Sequence, residues 1–453
     1  MKKNQWKLFT IGYWVISIFI VFYFNGTGNE ADSINHFLYA HYAPPHPELY
    51  LNHWAKPLFT LLASPFAQFG FIGIKLFNIL CAYRASYFTF KIVSKLRIKQ
   101  SILGPVFYFI FPISFVTTFS GLTEPLCAFI LIASIYLFQH KKYLTCAFLI
   151  SVTPFVRSEG LIFLAVLAFF FIYLKNWKAF ALLSFGHIVY SLIGYFHYQD
   201  ILWVFTKIPY AHLSSHYGGG SLFHFAEKLN YLMGIPLLVF FILGTVRILV
   251  GWKRMRIATR LIMILFLSFF IAHSLFWYLE IFNSMGLKRV FAAITPLMAI
   301  VALFGFDLFH KILVDPMRKG LMAISLLLIF VFPFTSNPAA VNWNDLNLND
   351  AQVNAKSVAN YLQKEEKISN RFIYTDPFLS YTLKVDPFDG QKHQILAQHE
   401  GVISPTLKSG DLIIWDNWHS VVDYGVTSEM LSNLGFVKEF RQGKSTYKIY
   451  RKK

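Results

Sequence analysis

The chain has 453 residues, of which 56% are hydrophobic, 19% aromatic and only 14% charged. Its mean hydropathy of +0.49 lies well outside the range of ordinary soluble domains and excludes one as the whole protein. The formal net charge of +18 would point to nucleic acid in a soluble protein, but here the basic residues flank apolar runs, where membrane topology is their ordinary cause.

The N-terminal stretch MKKNQWKLFTIGYWVISIFIVFYF has a basic head and an apolar core with no small-residue cleavage site behind it, which predicts a retained first span. Further apolar runs follow at about 70–92, 101–119, 122–138, 144–156, 160–174, 178–196, 232–250, 259–279, 289–310 and 320–335, after the first at 8–24. A hydrocarbon core about 30 Å thick takes roughly 20 helical residues, so about 11 transmembrane segments are expected. Residues 57–69, PLFTLLASPFAQF, are too short to span and read as an interfacial or re-entrant helix. Residues 144–174 are too long for one straight span and carry Pro154, Arg157 and Glu159 midway, so two half-length helices are expected to meet near a membrane face.

Placing the N-terminus in the cytoplasm puts 20 of the 27 Lys and Arg before residue 337 on that side. Lys56, Lys75, Arg157, Lys207, Lys228, Lys288 and Arg289 fall on the other. The ten acids of the same region run oppositely: Glu30, Asp32, Glu48, Glu124, Glu159, Asp200, Glu227 and Glu280 lie outside, against Asp307 and Asp315 inside. Acids hardly influence orientation, so this asymmetry has another cause, and a working site on the outer face supplies one. A nucleic-acid partner is not expected.

Near residue 337 the composition turns polar, dividing the chain into a polytopic membrane domain, 1–336, and a soluble domain, 337–453. The stretches RFIYTD, DLIIWD, FVKEF and TYKIY read as strands between helical AQVNAKSVANYLQKEEK and SEMLSNL, which predicts a small α/β domain. An odd number of spans places it outside the cell, with the acids. Cys81, Cys127 and Cys146 sit in apolar runs at no metal-ligand spacing and are expected to be small buried residues. The 15 histidines form no HExxH or comparable ligand pattern, so neither a metal nor another cofactor is supported.

Four outer stretches carry the candidate chemistry. The first, residues 25–56, holds Glu30, Asp32, His53 and Lys56; Asp32 reads either as a cap for the helix beginning at SINHFLYAHY or as a carboxylate base at the lipid boundary. The turns TEPL, with Glu124, and RSEG, with Arg157 and Glu159, place charges beside apolar runs, where they are costly unless they pair or face water. They read as substrate ligands or as a structural ion pair in which Arg157 closes onto Glu124 or Glu159. Lys288 and Arg289, in GLKRV, read as interfacial anchors or as phosphate ligands.

The acidic pair in the first outer loop, the TEPL and RSEG turns, the many spans and the external C-terminal domain together resemble the GT-C superfamily of integral-membrane glycosyltransferases. The turns are similar to the SEPLF and RPEG stretches of the mannosyltransferases of glycosylphosphatidylinositol synthesis and their bacterial relatives, and the layout matches over about residues 1–310. The resemblance implies an α-helical multi-pass, GT-C-like membrane fold and a hexosyltransferase, mannosyltransferase-like, in the inner or plasma membrane if the host is bacterial. It implies a polyprenyl- or dolichyl-phosphate-linked donor, inversion at the anomeric carbon, and a glycan, lipid or protein acceptor on the outer face. The family's first-loop acid falls on Asp32 or Glu30; Asp32 is preferred as base, with Glu30 orienting it or binding substrate, although the two are split as EAD instead of lying adjacent. For the leaving phosphate, the available donors are Arg157, Lys288, Arg289 and His53 or Lys56. A transporter or flippase of a lipid-linked glycan is the alternative; it predicts inverted repeats and charges at the membrane midplane, and the sequence displays neither.

Overall fold

In hydrocarbon every backbone N–H and C=O must be satisfied within the chain, so apolar runs of this length fold as helices. A computed structural model describes residues 2–28, 31–96, 98, 100–211, 214–215, 217–312, 317–365 and 371–453, and each of the 11 apolar segments coincides with helix in it. Five of these helices are long and apolar enough to cross a membrane: Lys3–Tyr23, Trp177–Tyr198, Ile257–Tyr278, Lys288–Ile312 and Met317–Phe334. Helices such as Glu124–Gln139, Gly160–Tyr173 and Ile235–Val250 are apolar but shorter. The 57–69 segment forms an 11-residue helix, Pro57–Ala67.

The chain divides into two compact units, one made of Met1–Tyr23 with Glu48–Asn342 and the other of Phe24–Pro47 with Trp343–Lys453. In the first, burial separates core from periphery. Of the most apolar stretch of Lys288–Ile312, 94% is buried, against 11% for Met317–Phe334 and 22% for Lys3–Tyr23, so the first is the central helix and the others present apolar faces outward. Helix Ile235–Val250 crosses the central helix at Gly244 and Gly305. A Cβ on Gly244 would lie 1.9 Å from the Val301 carbonyl oxygen, and one on Gly305 equally close to that of Phe240. Only glycine permits this backbone approach, the small-residue packing that membrane helices use where no hydrophobic effect drives them together. The half-length helices are present: Tyr143–Ile150 and the 3₁₀ turn Thr153–Phe155 give way at the RSEG turn to Gly160–Tyr173.

In the second unit a five-stranded sheet has the order β2-β1-β5-β7-β6, with β1 Phe372–Ile373, β2 His393–Gln394, β5 Leu412–Asp416, β6 Gly435–Gln442 and β7 Ser445–Arg451. Strand β1 runs parallel to β2 and β5, while β7 is antiparallel to β5 and β6. Ala397–His399 (β3) and Val402–Ser404 (β4) form a separate hairpin. Every residue of β5, LIIWD, is buried, as befits a central strand covered on both faces. The helix Asp350–Lys364 starts with a capping box between Asn349 and Gln352, and the Gln352 amide also donates to Thr27 Oγ1 at 2.8 Å. Residues 24–47, which follow the first span in sequence, therefore belong to this unit. Gly26 N–H donates to the Leu346 carbonyl at 2.7 Å, His46 Nε2 lies 2.9 Å from Asp386 Oδ2, and Phe37 and Tyr39 pack edge-on against Tyr381 and Phe388.

Candidate functional site

The charges of TEPL and RSEG meet in the first unit. Arg157 Nη1 is 2.7 Å from Glu124 Oε1 and donates to Thr123 Oγ1 at 3.1 Å, and its Nη2 donates to Glu159 Oε1 at 2.8 Å. Glu124 is fully buried at the first turn of its helix, where the helix dipole favours a carboxylate. One guanidinium thus clamps two carboxylates from two turns, the structural ion pair that the sequence left as one of two readings. Two buried atoms of the clamp, Glu124 Oε2 and Arg157 Nε, have no hydrogen-bond partner among the described residues. Gly160 closes the turn: a Cβ there would fall 2.5 Å from the Thr153 carbonyl carbon, so no larger residue lets 157–159 fold back on 153–154.

Lys56 joins the cluster through the middle residue of RSEG. Its ammonium donates to Ser158 Oγ at 3.0 Å and rests over the Tyr210 ring, 5.0 Å from the centroid. The side chain is buried, and among the described residues it forms no ion pair. Its backbone has φ 67°, a left-handed conformation that costs a non-glycine residue on the order of 1–3 kcal/mol and persists only where its surroundings enforce it.

Burial and the clamp pull the titrations apart. Burial lowers the Lys56 pKa to about 8; Glu159 opposes this in part and Arg157 reinforces it. For Glu159 burial acts upward, but the adjoining Arg157 charge outweighs it and holds the carboxyl at about 2. Burial alone would lower the Arg157 pKa, and Glu124 with Glu159 more than reverses that, so the guanidinium stays charged.

The remaining sequence candidates fall elsewhere. His53 is buried with its Nε2 against the Val204 carbonyl at 3.1 Å and its ring beside Trp203. Burial, then Lys56, lowers its pKa to about 4, which leaves it neutral at pH 7. Of the pair His53 or Lys56, the cation is therefore Lys56, and His53 is a packed imidazole. Lys288 is exposed and stands over the Tyr231 ring at 4.7 Å, and Arg289 is half-buried beside it in sequence. Asp32 belongs to the second unit, in the first turn of the helix Ala31–Tyr42, inside the helix and not ahead of it. Glu30 lies outside the described residues.

Sequence reasoning missed Ser158, Tyr210 and Thr123. Ser158 was in plain view inside RSEG, but a serine in a turn carries no charge signal, and nothing in the sequence around Tyr210 announces a partner 154 positions away. It also missed a polar cluster in the second unit where β1 and β5 end. There His419 lies between Asp423, at 2.8 Å from Nδ1, and Asp376, at 3.9 Å from Nε2, while Tyr447 donates to Asp376 at 2.7 Å.

No family model matches the chain, and a search of curated proteins finds no relative. Among solved structures the chain is similar to ArnT from Cupriavidus metallidurans crystallised bound to undecaprenyl phosphate, with a TM-score of 0.65 at 8% identity over 97% of this chain and 98% of that one. The apo state of the same protein gives 0.63 at 9% identity over 98% of each chain. At such identity the likeness is one of fold, and it runs nearly end to end: this chain has the fold of ArnT.

Proposed function

We propose that this protein is a glycosyltransferase that moves a sugar from a polyprenyl-phosphate-linked donor to an acceptor on the outer face of the membrane. The observation that carries the reading is Lys56: a buried ammonium with no carboxylate ion pair among the described residues, in a strained backbone, on a fold whose solved counterpart is bound to a polyprenyl phosphate. Burying an unpaired cation costs several kcal/mol, and an anionic ligand arriving there recovers it.

Chemically, an acceptor hydroxyl attacks the anomeric carbon, the bond from that carbon to the phosphate oxygen breaks, and the electron pair leaves with the phosphate. Inversion follows from a single displacement. Lys56 stabilises the charge that develops on the leaving phosphate. Because phosphate departs as an anion, no acid is needed at the leaving oxygen, and one carboxylate accepting the hydroxyl proton suffices. Asp32 is the proposed base, with Glu30 as its rival. Arg157, its charge already matched by Glu124 and Glu159, acts as a positioning residue that holds Ser158 against Lys56. The TEPL and RSEG turns favour a hexose of the mannose type as the sugar, and the positive-inside count favours a cytoplasmic N-terminus with the C-terminal domain outside.

The test is transfer by membranes carrying the protein, supplied in turn with radiolabelled polyprenyl-phosphate mannose and with other polyprenyl-phosphate sugars. Turnover of at least one is expected. Asp32→Asn should lower kcat by about 10²–10⁴-fold, and Lys56→Gln should raise the donor KM. Absence of transfer from every donor, with movement of intact lipid-linked glycan across the bilayer instead, would overturn the reading in favour of a flippase.

A further inference from the structure

We infer that Lys228 and Lys288, gathered on the ring of Tyr231, form a second anion site that takes a phosphate group. The Lys228 ammonium lies 5.5 Å and the Lys288 ammonium 4.7 Å from the centroid of that one ring. The two charges are thus no farther apart than the sum of those distances, comparable to the Debye length of about 10 Å at 0.1 M salt, so each feels the other. Among the described residues neither forms an ion pair; Glu227 and Glu280, the acids nearest in sequence, pair with neither. An aromatic face offers a cation only about 0.5–1 kcal/mol where water has access, and sharing it between two ammonium groups adds repulsion. An anion bound between the two ammonium groups would offset that repulsion.

The position says which kind. Lys288 opens the central helix Lys288–Ile312, and Lys228 precedes the helix Ile235–Val250 that crosses it, so both stand at the entry of apolar helices, where basic residues flanking membrane helices meet lipid headgroups. Lysines as simple interfacial anchors would splay toward water separately; these two stand 60 positions apart in sequence and converge on one tyrosine. Flexible ammonium groups suit a phosphate approached as a point charge. The site shares no contact residue with the Lys56 cluster, whose cation rests on Tyr210 and Ser158. The phosphate belongs either to an anionic lipid headgroup or to a phosphorylated substrate.

Binding by the full-length protein in detergent separates these sources without measuring turnover. In one arm, native mass spectrometry counts retained phosphatidylglycerol against phosphatidylcholine; in the other, thermal stability is followed with rising inorganic phosphate. The wild type is expected to prefer phosphatidylglycerol, to be stabilised by phosphate, or both, and Lys228→Gln with Lys288→Gln should weaken that response about tenfold or more. Loss in the lipid arm alone assigns the site to a headgroup, and loss in the phosphate arm assigns it to a substrate phosphate. Tyr231→Phe keeps the ring and should keep binding; single Lys228→Gln gives an intermediate loss should the double variant fold poorly. Lys56→Gln should leave this response in place, so the result stands apart from the sugar-transfer proposal. A wild type with neither response, or a double variant that keeps both, overturns the inference.

Discussion

A buried lysine keeps its proton only within a limited pH range, and for Lys56 the upper bound is near 8. The ammonium form binds phosphate and the amine does not. Donor affinity should therefore hold from pH 6 to 7 and fall as pH rises through about 8, read as a climbing donor KM; Lys56→Gln should give a high KM without that slope. Arg157 predicts the opposite kind of effect. Arg157→Leu leaves Glu124 and Glu159 buried without their cation, a loss of about 3–5 kcal/mol for a broken buried pair, to be seen as a lower yield of folded protein and a lower Tm. In the second unit, burial acts downward on His419, but its bond to Asp423 and the charges of Asp376 and Asp416 raise its pKa to about 9. A histidine raised from its ordinary 6.5 contributes stability that is complete below pH 6.5 and is lost as pH rises through 9, on the order of 3 kcal/mol. Thermal melts between pH 6 and 10 should show that decline in the wild type and a flatter profile in His419→Gln. At this scale Glu124, Arg157 and Glu159 were legible because charge is rare in apolar sequence. The clamp among them was not, because three side chains can pair in several ways until the turns are folded.

For the elements, hydropathy was nearly sufficient. All 11 apolar runs became helices, since lipid leaves the backbone no other choice. The interruption at Pro154, between Tyr143–Ile150 and Gly160–Tyr173, was legible, whereas the 101–119 run read as one segment and Pro112 divides it into Leu103–Ile110 and Pro112–Thr118. The crossing of Ile235–Val250 over the central helix was not legible, because Gly244 and Gly305 look like ordinary glycines until their helices meet. Gly305→Leu should drive those helices apart and sharply reduce folded protein in membranes, while Gly12→Leu, where a Cβ meets nothing within 4 Å, should be silent. In the C-terminal sheet DLIIWD and TYKIY read correctly as strands. SEMLSNL shortened to the 3₁₀ turn Ser428–Leu431, and the two-residue β1 and β2 owe their ladder to their neighbours more than to propensity.

Across the whole molecule, composition alone announced a membrane protein, and the abrupt polarity after residue 336 announced a change of unit, which falls between Asn342 and Trp343. Tertiary structure decided that the second unit also includes Phe24–Pro47, through Thr27 on Gln352, His46 on Asp386 and the aromatic pairs on Tyr381 and Phe388. Residues 343–453 expressed alone should consequently be less stable than the same residues carrying 24–47 on a linker, by several degrees in Tm if the segment contributes even 1 kcal/mol, worth about 4–8 °C in a small domain. What the sequence determined by itself was the solvent each segment would meet, because hydrophobicity and charge are properties of residues and sum along the chain. Which cation would be left without an ion pair among the described residues, Lys56 and not Arg157, was decided only by the fold, because pairing depends on distances between turns that lie a hundred or more positions apart.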